Sequence, residues 1–174
     1  MSVRTRIRQG VRALLAFSTP VDGALAAHYL SPTLFELFQK MSRAEQLHSL
    51  NVLRDVLAQS TETPADLAVA ALMHDVGKSR YHLAVWQKTV SVLTEKFAPQ
   101  TFAELAVGDT LTRWRAPFML RLQHPEWGAL MLTEAGASPC SIWLVRHHAD
   151  PLSQWQGHPN AALLARLKAA DDAN

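Results

Sequence analysis

The residues best equipped for chemistry are histidines and aspartates: His48, the pair His74-Asp75, His124, the pair His147-His148, and Asp171. A His-Asp pair by itself is more often a hydrogen-bonded helix cap than a ligand. Five imidazoles and two carboxylates on inward positions or ends of separate helices are harder to attribute to packing, because a buried polar group without a partner costs free energy. Imidazole nitrogen combined with carboxylate oxygen suits borderline divalent metals such as iron, manganese or zinc. Seven donors exceed what one ion with an open position needs, so the pattern points to two divalent metal ions. Lys78, three residues after Asp75, adds an ammonium group at the same place.

The elements that must position these groups read as helices throughout. Thr63 suits an N-cap and Pro64 a first helical position, predicting a helix that carries Leu67, Ala71 and His74 on one face. Gly77 then lets the chain leave that helix and returns Lys78 toward Asp75. Ahead of it, residues 3–17 read as a basic amphipathic helix, and Ser31-Pro32 opens a helix that reaches Lys40. Ser42 with Glu45 forms a capping-box pattern that starts a third helix, with His48 on the side of Val52.

After the central stretch, Tyr81 to Phe97 is predicted as an amphipathic helix with Leu83, Trp86, Val90 and Leu93 on one face. Residues 100–120, with Arg113, Trp114 and Arg115, read as a short helix plus connection. His124 precedes Pro125 and is predicted to cap a helix running to Gly136, and Ser138-Pro139 opens the next, which ends in the imidazole-rich turn before Pro151. In the final helix Leu164, Leu167 and Asp171 share a face, while Asp172 lies four residues after Lys168, as in a surface ion pair. Asp171 stands three residues from the end of the sequence, where a helix frays unless packing holds it. No strand-like alternation occurs, so the expected fold class is all-α.

Composition bounds the rest. The 174 residues, 48% apolar, suffice for one domain with a sizeable core. The single cysteine, Cys140, excludes an internal disulfide and suits a reducing compartment. A net charge of +2 is too small for a general nucleic-acid binder. Arg4, Arg6, Arg8 and Arg12 before Leu14, Leu15 and Phe17 imitate a signal peptide, but the apolar run is short, and no stretch approaches the roughly 18 apolar residues of a membrane span. The expected location is the cytoplasm.

The segments His48-Ser-Leu-Asn-Val, His74-Asp-Val-Gly-Lys78, His124-Pro-Glu-Trp-Gly-Ala and His147-His148 occur in an order that resembles the HD-domain superfamily of metal-dependent phosphohydrolases. They look most like its binuclear branch, which includes the HD-GYP cyclic-dinucleotide phosphodiesterases. The resemblance covers about residues 40–174 and leaves 1–39 as an N-terminal helical appendage. It implies a helical bundle with a metal site between helices. His48, His74, Asp75 and Asp171 match the superfamily ligands, and His124, His147 and His148 match those added for a second metal. It further implies that Asp75 bridges the ions and that Lys78 meets a substrate phosphate. Arg80, Arg113, Arg115, Arg121 and Arg146 are further candidates for phosphate contact, beside the plainer reading of solvated surface charges.

The implied activity is that of a phosphohydrolase or phosphodiesterase acting on a nucleotide-like phosphate ester or phosphoanhydride, a nucleotide or dinucleotide, by a water that two metals activate. Where the cyclic-dinucleotide enzymes carry glutamate and a Gly-Tyr-Pro segment this chain has Ala149-Asp150-Pro151, so cyclic di-GMP is expected to be a poor substrate. The segment between Asp75 and His124 is also longer than in that branch. Two alternatives stand beside this reading: a mixed-valent diiron oxygenase of the same superfamily, whose members known to us carry six ligands, and a non-catalytic regulatory helical domain.

Overall fold

The computed structural model describes residues 20–81, 83–107, 112 and 114–174. The basic helix expected over residues 3–17, and Arg113, lie outside the described residues. Those residues form an all-helical bundle with no strand among them. In chain order the α-helices are α1 (Gly23–Tyr29), α2 (Pro32–Lys40), α3 (Arg43–Ala58), α4 (Ala65–Met73), α5 (Val85–Phe97), α6 (Pro99–Ala106), α7 (Ala116–Glu134), α8 (Pro139–His147) and α9 (Ala161–Ala173). Two 3-10 turns interrupt them, Val76–Arg80 after α4 and Leu152–Trp155 after α8.

Local chemistry explains most of the boundaries. Ser31 caps α2 through the Leu34 amide, and Ser42 with Glu45 forms the reciprocal capping box of α3 at 3.4 and 3.0 Å. Ser138 caps α8 through the Ser141 amide at 3.0 Å. Gly136 ends α7 at φ 74°, a conformation in which glycine carries no Cβ penalty. The helix expected from Thr63-Pro64 begins at Ala65, with Pro64 in the capping position and no side-chain cap. The helix expected from Tyr81 begins only at Val85, because the chain leaves the 3-10 turn extended at Tyr81 and is still extended at Ala84, which precedes the first helical residue.

One difference bears directly on the site. His124 does not cap a helix; it lies inside α7, which continues through Pro125. Proline normally ends a helix because it lacks the N–H that bonds four residues back, a defect of about 3 kcal/mol. Here the carbonyl of Arg121, which Pro125 leaves without its backbone donor, accepts the Nδ1–H of His124 at 3.1 Å, and the Leu120 carbonyl shares it at 3.1 Å. The proline therefore orients the histidine instead of breaking the helix.

The core forms where α3 packs on α4, α7 on α8, α4 on α8, and α9 across α3. Leu50, Leu53, Leu67, Leu72, Leu144 and Leu164 are fully enclosed in it. Helices α1 and α2, which end at Lys40, contribute Ala26, Leu34 and Phe38 to the same cluster. Each large aliphatic side chain so buried contributes about 1.5 to 3 kcal/mol of transfer free energy. The face of α5 bearing Trp86, Val90 and Leu93 is turned to solvent, with Trp86 67% exposed.

The last turn of α9 is held. Asn174 donates to Asp55 Oδ2 at 2.7 Å and to the Ala170 carbonyl at 2.8 Å, so the helix that carries Asp171 does not end loose.

Candidate metal centre

Six of the seven expected ligands converge at the ends and inner faces of α3, α4, α7, α8 and α9. His48 projects from α3, and its Nε2 lies 2.9 Å from Asp171 Oδ1 on α9. His74 caps the C-terminus of α4, with Nε2 3.6 Å from both Asp75 Oδ2 and Asp171 Oδ1. Asp75 begins the following 3-10 turn. Its Oδ1 lies 3.4 Å from His124 Nε2 and 3.8 Å from His148 Nε2. Two sets of donor atoms result, His48 with His74 and Asp75, and Asp75 with His124 and His148, and within each set all atoms lie within 4.8 Å of one another. Asp75 belongs to both.

The backbone decides which imidazole nitrogens face the centre. His74 Nδ1 donates to the Ala71 carbonyl at 3.0 Å, His124 Nδ1 to those of Leu120 and Arg121, and His148 Nδ1 to that of Val145 at 2.7 Å. A carbonyl can only accept, so each Nδ1 carries its proton and each Nε2 presents a lone pair inward when the ring is neutral. The Nε2 atoms of His124 and His148 stand 3.2 Å apart, and that of His74, only 1% exposed, has no hydrogen-bond partner among the described residues. Lone pairs facing one another and two carboxylates are stable only with a proton or a cation among them. Backbone carbonyls that fix metal-binding tautomers are the usual outer partners of such a site, so the donor set fits divalent metal.

The electrostatics differ between the two halves of the cluster. Burial opposes a charged His148 imidazole, and the neighbouring His74 and His124 add to it, lowering its pKa to about 3 and leaving the ring neutral. At His74 burial also opposes the charge, but Asp75 and then Asp171 outweigh it and raise the pKa. Burial would protonate Asp75, yet Lys78, His74 and His124 hold the carboxyl well below its ordinary range. For Asp171, burial is likewise outweighed by the imidazoles of His48 and His74, and its pKa is lowered. Lys78 Nζ sits 2.6 Å from Asp75 Oδ2, on the turn where the sequence put it, with a third of its side chain exposed.

Gly77 contributes differently from the expectation. Its φ is not positive; what requires glycine is the approach of α7, since a Cβ there would lie 2.0 Å from the His124 carbonyl oxygen and 2.8 Å from the Gly128 nitrogen. The turn bearing Lys78 and the helix bearing His124 are thus pressed backbone to backbone, and Gly77 and Gly128 make the space.

His147 belongs to neither set. Successive residues on a helix point about 100° apart, so with His148 turned inward His147 faces the following loop. Its Nδ1 pairs with Asp150 Oδ2 at 2.8 Å, Trp155 Nε1 donates to the same oxygen at 3.1 Å, and the Trp155 ring lies 4.1 Å from the imidazole. Asp150 is engaged there rather than facing the donors. The four described arginines among the phosphate candidates each have another partner. Arg115 binds the carbonyls of Glu104, Leu105 and Val107 at the end of α6, Arg121 pairs with Glu95, Arg146 grips Glu126 at 2.8 and 3.2 Å, and Arg80 lies over Trp127. Lys168, expected to pair with Asp172, instead donates to the His148 carbonyl at 2.7 Å. Its place three residues before Asp171 and four after Leu164 is the sequence signal for that inward edge.

No protein-family model matches the chain, and comparison with curated proteins and with solved structures finds no match. Among the described residues no helix is long and apolar enough to cross a membrane.

Proposed function

We propose that the chain is an HD-type, metal-dependent phosphohydrolase that cleaves a small, nucleotide-like phosphate ester. The observation that carries this reading is that Asp75 is shared by two sets of inward imidazoles whose tautomers the backbone fixes. His48, His74, Asp75 and Asp171 would hold one divalent cation and Asp75, His124 and His148 a second, with iron or manganese favoured and zinc compatible. When bound, such cations supply Lewis acidity toward phosphate and lower the pKa of a nearby water.

The protein's own groups set the remaining terms. Asp75 and Asp171, ionised across the neutral range, offset the positive charge of the centre. His48, Asp171 and Lys78 are its partly exposed members, with side chains 28%, 34% and 34% accessible, so substrate enters on their side. Lys78 leaves Asp75 to meet the phosphoryl oxygens, where a fixed cation stabilises developing charge. The motif order shared with the HD superfamily supports the assignment, and the departure after His148 keeps the substrate distinct from cyclic di-GMP.

A second reading is favoured by one observation: with His147 outside, the converging residues number six, the pattern of the diiron oxygenases of the same superfamily. Anaerobically purified protein, assayed for metal and screened against nucleotides, cyclic dinucleotides and dinucleoside polyphosphates, separates the two. Hydrolysis of a phosphate ester or anhydride bond, read as free phosphate or as the shorter nucleotide product and dependent on Asp75, supports the hydrolase. Oxygen consumption with iron and no hydrolysis product from any substrate refutes it.

A further inference from the structure

Helix α9 addresses the two halves of the centre with two side chains one turn apart. Asp171 reaches His48 and His74, while Lys168 reaches the other half through the main chain of His148. The last carbonyls of a helix have no intrahelical donor, and at the end of α8 three of those near the site are claimed. Val145 O accepts the His148 ring, His147 O accepts the Asp150 amide at 3.0 Å, and His148 O accepts the Lys168 ammonium at 2.7 Å. His148 is therefore held at two points, by its ring and by its carbonyl. Docking of α9 does not need this bond, since Leu164 and Leu167 are fully buried and Asn174 ties the last turn to Asp55.

We infer that Lys168 is a positioning residue for the His124, His148 and Asp75 half of the centre. It clamps the main chain at His148 so that Nε2 stays aimed at His124 and Asp75, and it thereby sets how tightly that half holds its cation. This rests on the metal-centre reading above for its second part, while the clamp itself is a property of the metal-free chain. Partners that orient metal-binding histidines are worth about 10- to 100-fold in affinity. An ammonium on a backbone carbonyl reaches the ring only through the main chain, so the lower end of that range applies.

Two variants test it, Lys168→Met, which keeps the aliphatic stem, and Lys168→Arg, which can still donate to the carbonyl. In the metal-free protein, long-range ¹H–¹⁵N spectra of the imidazoles are expected to show His148 as a single Nδ1–H tautomer in wild type and Lys168→Arg. Lys168→Met should show averaged or broadened His148 signals with those of His74 unchanged. Titration with zinc should then show Lys168→Met losing about tenfold in affinity for one of two ions and keeping the other, with Lys168→Arg restoring it. Wild-type His148 signals in Lys168→Met overturn the inference, and so does equal weakening of both ions, which marks a role in docking α9. Should wild type itself take up fewer than two ions, the metal reading fails, and the metal-free spectra still decide the clamp.

Discussion

Replacing Gly77 by alanine perturbs the centre without removing a ligand. The added Cβ would stand 2.0 Å from the His124 carbonyl oxygen and 2.9 Å from its carbon, both backbone atoms that no rotamer change moves aside. Ordinary contact begins near 3.4 Å, so the turn and α7 must part by about 1.4 Å along that line. Functional constellations tolerate only about 0.5 Å of error, and this shift acts between the segment bearing Asp75 and Lys78 and the helix bearing His124. Overpacking of this kind costs about 1 to 3 kcal/mol, which for a chain of this size lowers Tm by roughly 2 to 12 °C. Gly136→Ala supplies the control. It forces alanine into φ 74° with no atom within 4 Å of the new methyl, so stability should fall while metal uptake does not. Thermal melts and metal analysis of both variants read the outcome. Gly77→Ala with wild-type Tm and full metal content would refute the reasoning.

His148→Ala is expected to lose one ion whereas His147→Ala retains both, because the His147 ring is committed to Asp150 and Trp155; equal loss of metal in the two variants contradicts the geometry. Lys78→Met should keep its metal while turnover on the best substrate falls by about 10² or more, and an unchanged rate removes the lysine from the reaction. Chelated protein is expected to lose stability as pH falls from 6.5 toward 3, since unfolded His148 takes up a proton in that window and folded His148 does not. Asp75 and Asp171, with lowered pKa values, act in the same sense below about 4, where only the unfolded carboxyls protonate. His74 acts oppositely, stabilising below 6.5 and losing that contribution as pH rises through its raised pKa. Melts of chelated protein between pH 3 and 8 check the balance, and a Tm that climbs on acidification from 6.5 to 3 contradicts it.

Much of this arrangement was legible in the sequence because it rests on local rules. The caps at Ser31, Ser42 and Ser138 mark helix starts, and His48, His74 and Asp171 follow from helical spacing, which a bundle preserves. What was not legible depends on contacts between distant segments. Pro125 reads as a helix start until the Arg121 carbonyl is seen to be answered by the neighbouring imidazole. Gly77 reads as a turn residue, but its need comes from α7, some fifty positions away in the chain. His147 and His148 are equivalent as text, and only the direction of α8 separates them. The outward face of α5 carries an inward-looking pattern, and nothing in its own spacing says that none of the described helices covers it.

Six residues from five helices and the turn after α4 are proposed to form one two-cation centre around Asp75. The most direct measurement is metal stoichiometry of the anaerobically purified chain after loading with iron or manganese, with Asp75→Asn beside it. Two ions per chain in wild type, and loss of affinity for both in Asp75→Asn, is the expected result; one ion or fewer in wild type, or a variant that loses only one, contradicts the shared carboxylate.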